Sequence, residues 1–179
     1  VQCYLRFAYS NQKIIPCTDA GNTNDNLLDL GASESRFDDI HATNGTIQTS
    51  DQNEKQSIQL LTSTEIAVAK RIAKLFKTFK WNSAVEEKGD SARTHTGVIA
   101  QDVQQAFTDE GLDSSNYGLF ISSTWWENEE GETKQEATEG YTERTRLGIR
   151  YPELLCFISS AIEQRLTDIE TRLTTLENV

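Results

Sequence analysis

Basic residues are scarce in this chain: 17 Lys and Arg stand against 28 Asp and Glu, for a formal net charge of −11. Phosphate binding needs a basic stripe, so this balance argues against a nucleic-acid partner and against an anionic membrane surface. No run of about 18 apolar residues occurs, so no segment reads as a bilayer-spanning helix and no membrane insertion is expected. Cysteine is sparse too. Cys3, Cys17 and Cys156 lie far apart and in no metal-ligand spacing, which predicts reduced, mostly buried thiols rather than a disulfide framework or a metal site. His41 and His95 are equally solitary, and neither reads as a ligand or a catalytic base. The opening Val1-Gln2-Cys3-Tyr4 lacks the charged and apolar regions of a signal peptide and reads as the continuation of a longer polypeptide. No nucleotide motif is present, and no cofactor is expected. The apolar fraction, 36%, is low for one compact globule of 179 residues. An elongated or oligomeric protein tolerates that better, because part of its burial comes from other copies.

Residues 1–49 read as β structure without helix. Gln2 to Tyr9 alternates roughly, Ser10-Asn11-Gln12 supplies turn chemistry, and Lys13-Ile14-Ile15 follows. Pro16 and the run from Thr18 to Asp25 read as a loop. After it, Leu28, Leu30, Phe37, Ile40 and Ile47 fall as short apolar beats, with Gly31 and Gly45 as breaks. So little apolar surface cannot hold a monomer together, and strands of this kind pair with other chains.

Past residue 50 the pattern changes. Ser63 or Thr64 is placed to cap a helix with apolar beats at Ile66, Ala69, Ile72, Ala73, Phe76 and Phe79. Lys70, Arg71, Lys74, Lys77 and Lys80 fill its remaining surface, and in so acidic a chain they read as a solvated or acid-paired face. A polar loop, Ser83 to Thr94, precedes a short strand at His95 that turns into a helix with Ile99, Val103 and Phe107 on one face. Tyr117 to Trp126 reads as a strand and Tyr141 to Arg150 as its hairpin partner, across a loop rich in glutamate. Trp125, Trp126 and the Glu127 to Glu139 loop are candidates for stacking a sugar. Adjacent strand residues face opposite ways, however, so one Trp is expected in the core and the other at the surface.

The last helix is the strongest periodic signal. Pro152 suits its first turn, where a missing N–H costs nothing. Counting back, Leu176, Leu173, Ile169, Leu166 and Ile162 are spaced three, four, three and four residues apart, and Ser159 and Leu155 keep the register. That is a coiled-coil seam with leucine at a and isoleucine at d, a choice that disfavours two strands and predicts a trimer over residues 152–179. The competing reading is a single amphipathic helix packed on its own domain.

The stretch Ser50-Asp51-Gln52-Asn53-Glu54-Lys55 stands at the composition break, with a serine five residues ahead of a lysine. Three blocks then occur in order. They are Ser50-Asp51 with Lys55 and Ile58, His95-Thr96-Gly97-Val98-Ile99-Ala100-Gln101-Asp102-Val103, and Leu147-Gly148-Ile149-Arg150-Tyr151-Pro152-Glu153-Leu154-Leu155. With the terminal seam, this order resembles the autoproteolytic intramolecular chaperone at the C-terminal end of phage tail fibres and tail spikes, as in endosialidases and L-shaped tail fibres. The segment Leu30 to Gly45 resembles the fibre stretch that precedes such chaperones. The main local departure is Gln52-Asn53-Glu54, which is more acidic and polar beside the lysine than the family pattern.

The resemblance implies an α+β fold with a β-rich fibre end at 1–49 and a mixed helix and hairpin chaperone at 50–179. It implies one cut, at the Thr49–Ser50 bond, by a Ser50–Lys55 dyad. Serine is a poor nucleophile until a base takes its proton, and a lysine amine is a base only when neutral, a form favoured by burial or cationic neighbours. Ser50 would attack the Thr49 carbonyl in an N-to-O acyl shift followed by ester hydrolysis; direct attack by an activated water is the alternative route. Asp51 would position the dyad and Arg150 would brace the site through an acidic partner. The implied partners are two further copies in a homotrimer and the upstream fibre body of the same chain. The chaperone would act in the host cytoplasm during assembly and be released. The host receptor would be met by the mature fibre on the virion and not by this domain. A permanent trimeric tip, never cleaved, is the alternative.

Overall fold

In the computed structural model, residues 3–8, 13–18, 22, 28–32, 34–37 and 50–178 are described, apart from the side chains of Cys3 and Ala8. The expected beats at Ile40 and Ile47, with His41, Gly45 and Thr49, lie outside them. The chain divides into two compact units, Val1–Thr46 and Ile47–Val179.

In the first unit, β1 (Cys3–Ala8) pairs antiparallel with β2 (Lys13–Thr18), with Cys3 opposite Thr18 and Ala8 opposite Lys13. Pro16 lies inside β2, opposite Leu5, rather than opening a loop as expected. A two-stranded ribbon is edge on both sides, which is where a strand tolerates proline. Cys17 is buried, but Tyr4, Leu5, Phe7, Ile14, Leu30 and Phe37 remain exposed, Phe7 to 79%.

The second unit begins with α1 (Ser63–Ile72), capped by Thr62 rather than by Ser63 or Thr64. Thr62 Oγ1 accepts from the Glu65 amide at 3.2 Å, and Glu65 Oε2 accepts from the Thr62 amide at 2.6 Å, a reciprocal capping box. The helix ends at Ile72, so the expected beats at Phe76 and Phe79 are not helical: Phe79 closes β3 (Lys77–Phe79). β3 pairs with β4 (His95–Gly97), Phe79 facing His95. The expected polar loop between them holds α2 (Asn82–Lys88) and a 3-10 turn, Gly89–Ser91. Neither buries a residue, so there was no apolar period to read.

α3 (Ala100–Asp109) follows β4 directly. A three-stranded sheet then sets β5 (Phe120–Glu127) between β6 (Thr133–Lys134) and β7 (Thr142–Ile149), with Phe120 opposite Ile149. α4 (Tyr151–Glu177) completes the α+β unit, with Pro152 in its first turn. The core gathers Val68, Ala69 and Ile72 from α1, Val103, Ala106 and Phe107 from α3, Phe120 from β5, and Leu154, Phe157, Ile158 and Ala161 from α4. Phe107 packs its ring 4.6 Å from Tyr117 and 5.9 Å from Phe157, centroid to centroid. Each large apolar side chain so buried contributes about 1.5–3 kcal/mol.

On the basic face running from Lys70 to Lys80, Arg71 and Lys77 are acid-paired while Lys70 and Lys74 are exposed, so the expected alternatives, solvated or acid-paired, each hold in part. Arg71 bonds Glu110 and lies 3.5 Å from Asp109, Lys77 meets Asp102 at 2.7 Å, and Lys80 donates to the Asp90 carbonyl at 3.0 Å. Cys156 departs from the expected buried thiol: it is free and exposed on α4, on neither the core face nor the leucine seam.

Candidate functional site

Between Ser50 and Lys55 the backbone makes one short 3-10 turn, Gln52–Glu54. Asp51 caps it. Its Oδ1 accepts from the Asn53 amide at 2.9 Å and from Asn53 Nδ2 at 3.0 Å, the bonding of an Asx turn. The Lys55 amide closes the turn by donating to the Gln52 carbonyl at 3.1 Å. Lys55 itself is extended, at φ −123° and ψ 147°, so its side chain can fold back over the turn. Lys55 Nζ then reaches Ser50 Oγ at 2.8 Å. The two residues singled out by spacing are thus brought together by local backbone geometry.

Both are exposed, and the turn buries none of its residues. Neither the groove of about 620 Å³ beside Phe79, Trp81, His95 and Tyr151 nor that of about 410 Å³ beside Leu61, Tyr117 and Phe157 includes Ser50 or Lys55. A nucleophile that acts on the bond before it needs no substrate pocket, since the carbonyl is tethered to it. Thr49, which carries that carbonyl, lies outside the described residues. Two residues past Lys55, Ser57 stands at φ 55°, a left-handed backbone that redirects the chain.

The other expected site residues are placed as follows. Asp51 is engaged with Asn53, and Asn53 was not singled out from the sequence, although an Asp two residues ahead of an amide is its Asx-turn signal. Arg150 N-caps α4, and its Nη1 donates to the Gly118 carbonyl at 2.8 Å rather than to an acidic partner. Trp125 is 7% exposed beneath Arg146, whose guanidinium sits 5.2 Å from the ring, while Trp126 is half-buried. This is the expected division of the pair, and it withholds Trp125 as a sugar platform. His95 stacks on Phe79 at 5.8 Å. Among the described residues no group of three His, Cys, Asp or Glu is placed to hold a metal ion, and no helix is long and apolar enough to cross a membrane.

α4 carries two apolar faces. Leu154, Phe157, Ile158 and Ala161 are buried in the core, whereas Leu155, Ile162, Leu166, Ile169, Leu173 and Leu176 are 46–73% exposed. The seam residues are therefore not the ones by which the helix packs on its own domain.

Residues 50–112 match a family model described as the chaperone of endosialidase, and the match starts at Ser50. The chain belongs to the endosialidase-chaperone family. It contains an intramolecular chaperone domain of the kind found in phage tail fibres and spikes. A probable tail spike protein of Klebsiella phage 0507-KN2-1 is 33% identical over 161 residues, covering 80% of this chain and 13% of the relative. The side tail fibre protein pb1 of Escherichia phage T5 is 30% identical over 158 residues, covering 83% of this chain and 11% of the relative. The chain thus spans little more than a tenth of these curated relatives. Among solved structures, the carboxy-terminal domain of the bacteriophage T5 L-shaped tail fibre with its intramolecular chaperone domain matches at a TM-score of 0.69 and 26% identity, over 92% of this chain and 39% of that one. A structure described as a novel intramolecular chaperone matches at 0.53 and 30% identity, over 66% of this chain and 99% of that one.

Proposed function

We propose that residues 1–49 end the β-structured body of a phage tail fibre or spike, and that residues 50–179 trimerise it, set its chains in register and then cut themselves away at the Thr49–Ser50 bond. The observation that carries this reading is the 2.8 Å contact of Lys55 Nζ with Ser50 Oγ, at the residue where the family match begins. The unused apolar seam of α4 supports the trimer, since six large side chains left 46–73% exposed need a partner.

In the proposed reaction the neutral Lys55 amine takes the hydroxyl proton of Ser50, and Oγ attacks the carbonyl carbon of Thr49. The Thr49–Ser50 C–N bond breaks, and the Ser50 nitrogen leaves as an amine with the proton returned by Lys55. The resulting Thr49 ester on Ser50 Oγ is hydrolysed by water to a Thr49 carboxylate and the free hydroxyl. Lys55 is exposed in the single chain, and on this reading assembly is the step that desolvates the amine and starts the cut.

The gain is in folding. Non-local β pairing between three chains is slow and prone to slip, and a trimer formed first at one end holds the strands at high effective concentration. Cleavage then removes the trimerising unit and leaves the fibre unable to unwind through it. On this reading the chaperone acts in the host cytoplasm during assembly, and the fibre end stays on the virion, where the mature fibre and not this domain meets the receptor.

Mass spectrometry tests it. Fragments ending at Thr49 and beginning at Ser50, absent from Ser50→Ala and Lys55→Ala, are the expected result. The second reading is a permanent trimeric tip, favoured by the exposure of both Ser50 and Lys55. A parent chain that stays whole through prolonged incubation, as the variants do, leaves only that.

A further inference from the structure

The hydrogen bonding of the 50–55 turn points to Asn53 as a positioning residue that keeps the Asp51 carboxylate off the Lys55 amine. We infer this as a deepening of the proposed self-cleavage, on which it rests. A carboxylate four residues from a lysine in a tight turn is well placed to form an ion pair, and a lysine so paired is held as the ammonium, which cannot accept the serine proton. In this turn the pair does not form. Asp51 Oδ1 receives both the backbone and the side-chain N–H of Asn53, at 2.9 and 3.0 Å, while Lys55 Nζ is turned to Ser50 Oγ at 2.8 Å. Among the described residues no carboxylate forms an ion pair with Lys55. The other charge in the turn, Glu54, is exposed and has no bond to Lys55.

The two bonds from Asn53 do different things. The backbone bond is an ordinary turn cap that any residue at 53 supplies. The Nδ2 bond is particular to asparagine, and it gives the carboxylate a second neutral donor that competes with the ammonium. The turn buries nothing, so the backbone cap and the Nδ2 bond hold Asp51 turned towards residue 53, and the second of the two is lost when the asparagine side chain is removed. The acidic character of the Gln52-Asn53-Glu54 stretch is thereby reconciled with a lysine that must lose its charge.

The test uses the full chain and follows release of the 50–179 fragment over a pH series. Asn53→Ala removes the side-chain donor and leaves Asp51 with its backbone cap alone to keep it from Lys55. Its cleavage should be about tenfold slower at neutral pH, with the pH profile displaced upward by about one pH unit and the parent rate regained at high pH. Asp51→Asn retains an amide oxygen to cap the turn but cannot pair with the ammonium, so whatever its rate its pH profile should show no upward displacement, with or without Asn53. Asn53→Ala combined with Asp51→Asn should lose the upward displacement and match the pH profile of Asp51→Asn alone. A purely structural role for Asn53 predicts instead a lower rate at every pH, no displacement, and no rescue by Asp51→Asn, and that result overturns the inference. Cleavage of Asn53→Ala at the parent rate across the series overturns it equally, while leaving the proposed function standing. A parent chain that is never cut, indistinguishable from Ser50→Ala, removes the function and this inference with it.

Discussion

The phenol oxygen of Tyr151, the first residue of α4, lies 2.2 Å from where a β-carbon on Gly97 would stand. The same oxygen accepts a hydrogen bond from the Val98 amide at 3.1 Å, tying the start of the long helix to the end of β4. Glycine is needed at 97 for this approach and not for an unusual backbone. Gly97→Ala should therefore destabilise the domain by about 1–3 kcal/mol, the range for a forced side-chain displacement. Tyr151→Phe, which removes the acceptor but keeps the ring, should cost about 1 kcal/mol. Chemical denaturation of both variants checks the pair; a Gly97→Ala chain as stable as the parent overturns the close-contact explanation.

Glu65 makes the domain sensitive to acid. Its partial burial works to raise the carboxyl's pKa, but hydrogen bonds from the Thr62 hydroxyl, the Thr62 amide and Tyr117 together hold it below the usual glutamate range. A depressed folded value means stability that is present above the unfolded carboxylate range and lost as pH falls through the lower folded value. Glu65→Gln should flatten this part of the stability curve between about pH 5 and the acid limit, compared by thermal melts over a pH series. Thr62→Ala should cost about 1 kcal/mol through the lost cap alone.

The seam on α4 is separable from the core. Leu166→Ser with Ile169→Ser should abolish the proposed trimer, read by light scattering, while leaving the circular-dichroism signature of the domain, because neither side chain is buried in it. The melting temperature of the parent should rise with concentration and that of the variant should not. A parent that is monomeric at micromolar concentration contradicts the seam.

Core changes should behave oppositely. Leu154→Ala or Phe107→Ala removes a side chain with no exposed surface and should cost about 2–5 kcal/mol, lowering stability at every concentration.

Much of this was readable from local pattern. The β1–β2 ribbon, the strand-to-helix passage through His95 and Ala100, the β5–β7 hairpin and α4 all follow from alternation, turn residues and heptads, which are short-range properties of the chain. Two of the misreadings share one cause. Phe76 and Phe79 continued a helical beat by accident, and α2 carried no beat because it buries nothing, so periodicity had nothing true to report at either place. Arg150 was expected to seek an acid, but the turn into α4 sets its guanidinium against the Gly118 carbonyl instead.

Residue order alone sets the five-residue interval between Ser50 and Lys55 and the three-four rhythm from Ile162 to Leu176, because both are counts along the backbone. Folding in three dimensions decides which side of α4 faces inward, since burial depends on what α1, α3 and β5 bring against it. It also decides that Gly97 must lack a side chain, because the atom it makes room for arrives from Tyr151, more than fifty residues away.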